Sequence, residues 1–373
     1  MGTTAAALVE RASATAGLDD FGDDAWRVGF ERLVEAVDHD VADADALAAI
    51  EHNIVGRLVQ RLRVEDWYAT HAAGAPPPVE RPIVILGLPR TATTALHHLL
   101  ALEPQLRYPR AWEVGDPVPP PDAATEADDP RRPKDPPQHD VRHIVTVDGP
   151  AEDWPIHAMA FDHAELTLPV PSYTQWWRGR AHTGLLPFHD RCLRLLHAHR
   201  PPHRWLLKMP AYLFLLPELV EQHPDALLVM THRDPVPVMA STCSVVADAR
   251  RKRVPTWSMD AAFGAALLHH WAEGMRAALA ARDVLGPDRF VDVAQRDLEV
   301  DPIGVADRIY AAAGLTLTAE TEHRMQAWSE QNRRGSRGRH DYTLEEYGLS
   351  TGQVTEAFAL YTERFGDLCR PQG

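Results

Sequence analysis

The sequence predicts an α/β fold, with a central parallel sheet flanked by helices, an N-terminal helical extension and a mostly helical insertion. Three observations carry this. First, four short runs, Ile83–Leu86, Arg204–Leu207, Ala226–Met230 and Phe290–Val293, alternate with helix-periodic stretches. Second, these runs are apolar nearly throughout, as strands covered on both faces are. Third, polar residues follow the first three runs directly: Arg90 with threonines, Lys208, and His232-Arg233-Asp234. In open parallel sheets ligands bind beyond the carboxyl ends of the strands.

Bulk properties narrow the class. The 373 residues are read as a single domain, 1–373. It divides into a helical extension (1–78), an α/β core (79–350) holding a lid and acceptor insertion (110–200), and a C-terminal helix (351–373). Hydrophobic content of 45% and charged content of 24% are those of a globular protein. No apolar run approaches the roughly 20 residues that span a bilayer. The N-terminus lacks the basic start and apolar core of a secretory signal, so a cytoplasmic protein is expected. Cys192, Cys243 and Cys369 are too widely spaced for a disulfide framework or a metal pattern. A net charge of −15 argues against general binding to nucleic acid, but not against a small anion held by local donors.

In chain order, residues 5–72 carry three apolar stripes at helical spacing: Leu8-Ala12-Ala16, Trp26-Phe30-Leu33-Val37 and Leu47-Ile50-Ile54-Leu58-Leu62. The Pro-rich joint Ala73–Pro78 leads into the first strand. Gly87 and Pro89 end that strand, and Thr91-Ala92-Thr93-Thr94 open the helical run Ala95–Leu102. A long stretch rich in proline and charge follows, and Ala123–Pro137 is expected to be disordered. Residues 139–199 are expected to be largely helical. His139 and His143 stand four apart there, but no third ligand follows at a familiar spacing, so no metal is expected. Further helices are expected at Tyr212–His223, from Val236, over Asp260–Leu285, through Tyr310, and at Thr351–Phe365.

The turn after the first strand is the centre of the site. A strand, a tight turn and a helix start aim backbone N–H groups and the positive end of a helix dipole at one spot, which suits an anion. An ordinary βα turn capped by threonines has the same outline. Against a Walker A loop, GxxxxGK[ST], the chain has Ala92 for the second glycine and Thr93 for the lysine that reaches the β- and γ-phosphates. Loss of that lysine argues against a nucleoside triphosphate.

PRTATT resembles the 5′-phosphosulfate loop of the sulfotransferases that use 3′-phosphoadenosine 5′-phosphosulfate, Pro-[Lys/Arg]-Ser-Gly-Thr-Thr. THRDPVPVMAS resembles their 3′-phosphate motif, with Arg233 and Ser241 eight positions apart. The large bacterial branch also shows Lys-Ser-Pro-x-His, here Lys208–Tyr212, and Tyr-Glu-Asp-Leu, here Gln295–Leu298. Near the end, His340–Leu349 matches a further motif of that branch. The resemblance spans roughly residues 15–365. It departs at Ala92, where a changed loop or a negative φ is expected, at Tyr212 for histidine, and at Gln295 for a tyrosine expected to touch adenine.

The resemblance implies a P-loop-like sheet and a transfer of SO₃ from 3′-phosphoadenosine 5′-phosphosulfate to a hydroxyl or amine of a small-molecule or lipid acceptor. Arg90 and the segment Thr91, Ala92, Thr93 and Thr94 would hold the 5′-phosphosulfate, and Lys208 would approach the sulfuryl group. Arg233 and Ser241 would hold the 3′-phosphate, with Arg334 and Arg337, beside Arg333 and Arg339, closing over it. Glu113 is the first choice of base, with Glu152, Asp153 and His157 in reserve. Trp154, Trp176 and Trp177 are offered as walls of an acceptor pocket. A P-loop-type kinase and a non-catalytic nucleotide sensor are the alternatives. Neither the acceptor nor the oligomeric state is encoded in a recognisable motif.

Overall fold

The computed structural model describes residues 3–71, 74, 76–134, 146–200, 203–332 and 342–370. Three helices come first, α1 (Ala5–Ala16), α2 (Arg27–Asp40) and α3 (Ala44–Thr70). The Thr4 and Asp43 side chains accept from the first-turn N–H groups of Ala7 and Ala46, which fixes where α1 and α3 start. The expected stripes pack into one core that also takes in Phe161, Tyr173 and Trp177 of the insertion. The extension therefore braces the insertion.

Five parallel strands follow: β1 (Ile83–Gly87), β2 (Leu106–Arg107), β3 (Arg204–Lys208), β4 (Leu227–His232) and β5 (Phe290–Ala294), in the order β2-β3-β1-β4-β5. β1 lies between β3 and β4, with Ile85 opposite Lys208 and Gly87 opposite Thr231. Side chains alternate between faces. Ile83 and Ile85 join the core under α4 (Thr93–Leu100) and α13 (Pro302–Ala313). Val84 and Leu86 join the core under α8 (Leu185–Leu196), α10 (Pro235–Arg253) and α11 (Phe263–Leu285). Both faces are covered, which is why the strands read as continuous apolar runs. Among the described residues no helix is long and apolar enough to cross a membrane.

The remaining helices are α5 (Ala111–Gly115), α6 (Trp154–Met159), α7 (Pro171–Arg178), α9 (Leu216–Gln222), α12 (Gln295–Val300), α14 (Ala319–Gln331), α15 (Thr351–Ala357) and α16 (Ala359–Cys369). Several differ from expectation. β2 falls inside the stretch read as irregular; it pairs with Arg204 and Trp205, and two residues carry no periodicity. The expected helix Tyr212–His223 is a 3₁₀ turn, Pro210–Phe214, followed by α9, because Leu215 leaves helical geometry before Pro217. The last helix breaks at Phe358 and runs on to Cys369. The insertion holds three short helices after residue 146 rather than continuous helix.

Residues 123–134 are held in place rather than disordered. Arg110 pairs with Glu126 at 2.6 Å, Arg131 pairs with Asp129 at 2.5 Å, and Arg131 lies over the Trp112 ring at 5.5 Å. These pairings join residues that read in sequence only as a stretch rich in proline and charge. His139 and His143 lie outside the described residues.

Candidate active site

The loop from β1 to α4 has a sharply defined backbone. Gly87 has φ +138°, and a Cβ there would come within 2.6–2.7 Å of Thr231, so glycine is required. Arg90 and Ala92 have φ +65° and +69°. The altered or negative φ expected at Ala92 is not found: the alanine keeps the left-handed shape that glycine adopts freely. Such a residue costs of order 1 kcal/mol, which the surroundings must impose. Thr91 is fully buried and supplies part of that constraint. Its hydroxyl donates to the Leu88 carbonyl at 2.6 Å and lies 2.6 Å from Thr231 Oγ1. The Thr91 hydroxyl is thus spent inside the loop, and only its backbone can face a ligand. Ala92 is also the N-cap of α4 and has no side chain to close the first turn, so the first N–H groups of α4 face the loop.

Three strand ends converge on this loop. Arg90 Nε donates to Ser241 Oγ of α10 at 3.1 Å, and Arg233 Nη1, just past β4, donates to the Arg90 carbonyl at 2.8 Å. On the other side, Lys208 Nζ at the end of β3 donates to Thr94 Oγ1 at 3.2 Å and to Glu152 Oε1 at 2.6 Å. Arg90, Thr94, Lys208, Arg233 and Ser241 are therefore brought together. Arg334, Arg337, Arg333 and Arg339 lie outside the described residues.

Two cavities flank the loop. One, of about 280 Å³, has Arg90, Thr93, Thr94 and Glu152 at one end and Trp154, Met209, Val245 and Trp271 among its walls. The other, of about 740 Å³, lies between α4, α12 and α14, where Ala92, Ala95, Gln295, Trp328 and Asn332 line it. Gln295 is thus at this second cavity, and Trp328 offers it an aromatic wall. Trp177 instead donates to Asp162 within the N-terminal core, and Trp176 packs against Tyr173 and Arg180.

Glu113 is elsewhere. It is fully buried, accepts from Arg107 Nη2 at 2.6 Å, from Arg110 Nη2 and from the Arg110 backbone N–H, and is not among the residues lining the 280 Å³ cavity. Burial alone would raise its carboxyl; Arg107 and Arg110 beside it hold it below the ordinary value. It has the surroundings of a structural ion pair. Its neighbours Arg107 and Arg110 gave no sequence signal of this, because the pairing closes across the β2–α5 turn. Glu152, by contrast, is partly exposed, faces the cavity and touches Lys208.

Beneath Glu152 lies a buried polar cluster. His189 Nε2 donates to Asp153 Oδ2 at 2.7 Å, and the Tyr212 hydroxyl donates to the same oxygen. Burial pushes the Asp153 carboxyl up, but His189 and Tyr212 outweigh it and hold the group at about 2. His157 packs edge-on against His189, and burial holds it well below the ordinary histidine value. Asp153, His157 and His189 offer ligand atoms within 4.8 Å of one another, a grouping the sequence did not disclose. Tyr212, where the resembled motif has histidine, serves this cluster and does not reach the cavity.

A family model described as the Sulfotransferase family matches residues 82–319, from β1 to the start of α14. The chain belongs to the sulfotransferase family. It is an enzyme of sulfuryl transfer, and its fold is that of bacterial relatives. Sulfotransferase STF9 from Mycobacterium avium is 29% identical with a TM-score of 0.89, over 100% of this chain and 98% of that one. Sulfotransferase STF1 from Mycobacterium tuberculosis H37Rv is 30% identical with a TM-score of 0.80, over 96% and 98%. No curated protein matches significantly. The match spans all five strands of this sulfotransferase, and with them Arg90, Lys208 and Arg233.

Proposed function

We propose that this sulfotransferase takes its sulfuryl group from 3′-phosphoadenosine 5′-phosphosulfate and passes it to a hydroxyl of a small-molecule acceptor, with Glu152 as base. The observation that carries the reading is the linkage of Arg90, Ser241 and Arg233 into one constellation at a helix start. It fits a ligand with two phosphate-type groups. The orphan N–H groups of α4 and Arg90 suit the 5′ group, Arg233 and Ser241 the 3′-phosphate, and Trp328 a stacked base. Thr91 and Ala92 contribute backbone, Thr93 and Thr94 backbone and hydroxyls. Arg334 and Arg337, two and five residues beyond Asn332, keep their assignment to the 3′ side from sequence alone.

When bound, this co-substrate supplies the sulfuryl group, the acceptor O–S bond forming as the S–O bond to phosphate breaks with its electron pair leaving on the phosphate oxygen. Lys208 and Arg90 stabilise the charge that builds on that leaving oxygen. Glu152 takes the acceptor proton. Asp153, one residue on, is anchored by His189 and Tyr212 and so fixes where Glu152 points. No metal enters this reading, since the cations of Arg90, Lys208 and Arg233 face the donor.

A thermal-shift comparison tests the donor. Adenosine 3′,5′-bisphosphate at a hundred times its Kd should stabilise the protein by about 2.7 kcal/mol, and ATP with Mg²⁺ far less. No stabilisation by the bisphosphate, or equal stabilisation by both, overturns the reading.

A further inference from the structure

The 280 Å³ cavity has a direction. Thr242, Val245, Val246 and Arg253 of α10 all line it, and the spacing puts them on one stripe of the helix. Ser241, beside Thr242, touches Arg90, so the stripe starts at the nucleotide end. From Thr242 to Arg253 the helix rises about 16 Å. Between the two ends the walls are mostly apolar: Trp154, Leu166, Met209, Ala211, Val245 and Trp271.

At the far end stands Arg253, a largely exposed residue whose guanidinium lines the cavity and has Glu165 in its neighbourhood. Arg253 makes no ion pair among the described residues. The carboxylate nearest in influence, Glu165, is already held by Arg57 through both oxygens. Glu152, the other carboxylate in the cavity, is at the opposite end with Lys208. Partial desolvation pushes the Arg253 guanidinium down while Glu165 pulls it up, the residue keeping much of its surface in solvent. His163 and His270 also line the cavity, and burial keeps both below the ordinary histidine value, so neither adds lasting positive charge.

We infer that the acceptor is an elongated hydroxylated amphiphile with a carboxylate at the end remote from the hydroxyl. Its hydroxyl sits at Glu152 and Lys208, its apolar body lies along α10, and its carboxylate meets Arg253. One guanidinium matches a single negative charge. Arg251 and Lys252 are not among the residues lining the cavity, which argues against a more highly charged phosphate end. The inference rests on the assignment of Glu152 and Lys208 to the acceptor hydroxyl. Transfer forms the acceptor O–S bond, sends the hydroxyl proton to Glu152, and leaves the remote carboxylate unchanged.

Binding is measured without nucleotide by the fluorescence of the whole protein, since Trp154 and Trp271 line the cavity. The probes are 12-hydroxydodecanoate, its methyl ester, and 6-hydroxyhexanoate, which is too short to reach both ends. Wild type should bind the long acid three- to tenfold more tightly than the ester, and more tightly than the short acid. Arg253→Ala should bring acid and ester level, Arg253→Glu should favour the ester, and Arg253→Lys should keep most of the preference. Equal binding of acid and ester by wild type, a preference that survives Arg253→Ala, or no binding of any probe overturns the inference. Adenosine 3′,5′-bisphosphate, titrated in parallel by thermal shift, reports separately on the donor reading.

Discussion

Replacing Arg233 with alanine separates recognition of the 3′-phosphate from support of the loop. Arg233 Nη1 donates to the Arg90 carbonyl at 2.8 Å, so its loss removes a contact that holds the loop and a cation assigned to the 3′-phosphate. A hydrogen bond to a charged group contributes about 1.5–3 kcal/mol, which is about ten- to hundredfold in Kd. The carbonyl contact alone accounts for about 1 kcal/mol. The assay is isothermal titration with two ligands, adenosine 3′,5′-bisphosphate and adenosine 5′-monophosphate. Arg233→Ala should weaken the bisphosphate by at least tenfold more than it weakens the monophosphate. Ser241→Ala should do the same on a smaller scale, since it removes one neutral donor. An equal loss for both ligands refutes the assignment, because it would mean that Arg233 acts only through the Arg90 backbone.

Three further outcomes are expected. Glu152→Gln should lower kcat by roughly 10²–10⁴ with the melting temperature held, whereas Glu113→Gln should chiefly destabilise, by about 3–5 kcal/mol, since it breaks a buried pairing with Arg107 and Arg110; steady-state kinetics beside thermal melts decide, and the reverse pattern restores Glu113 as the base. Asp153, held at about 2, is depressed from its unfolded value of 3.8, so its stabilisation is present above that value and lost as pH falls from about 5 to 2; the loss is of order 2 kcal/mol, and acid unfolding of Asp153→Asn should lack that slope, an unchanged slope counting against the cluster. Ala92→Gly should leave nucleotide affinity intact and Ala92→Val should cost at least 1 kcal/mol, because the position has φ +69°; a Val variant as stable as wild type would contradict that backbone.

The sheet was legible because β1, β3 and β4 are buried almost throughout, and β5 largely so, and each announces itself as an apolar run. β2 was not: at two residues it is defined by its partner, β3, and not by its own pattern. The cations that meet at the loop were visible for the same reason as the strands, since Arg90, Lys208 and Arg233 stand at or just past the strands' carboxyl ends. The 280 Å³ cavity was not. Its walls come from α6, the turn after it, α10 and α11, and no local spacing relates Trp154, Glu165, Arg253 and Trp271 before the chain folds. Sequence alone ranked Glu113 ahead of Glu152 without seeing this geometry, because both are lone acids in irregular sequence. What separates them is the company each keeps: two buried guanidiniums for one, and a lysine at the cavity for the other. Ala92 marks a different limit, because its side chain suits one backbone and its neighbours enforce another.

The central place of β1 in the sheet has a further consequence. Neighbouring strands repeat every 4.8 Å or so, and the three cation-bearing ends stand on adjacent strands, β3, β1 and β4. The sheet therefore acts as a comb whose pitch sets the charge spacing, and side-chain exchange changes only the length of each tooth. Retuning this scaffold to a donor with differently spaced anions would demand a slipped strand, and a slip in β1 would turn Val84 and Leu86 out of their core. The spacing of these cations is thereby tied to folding itself, while the walls of the 280 Å³ cavity, carried on helices and turns outside the comb, are free to diverge.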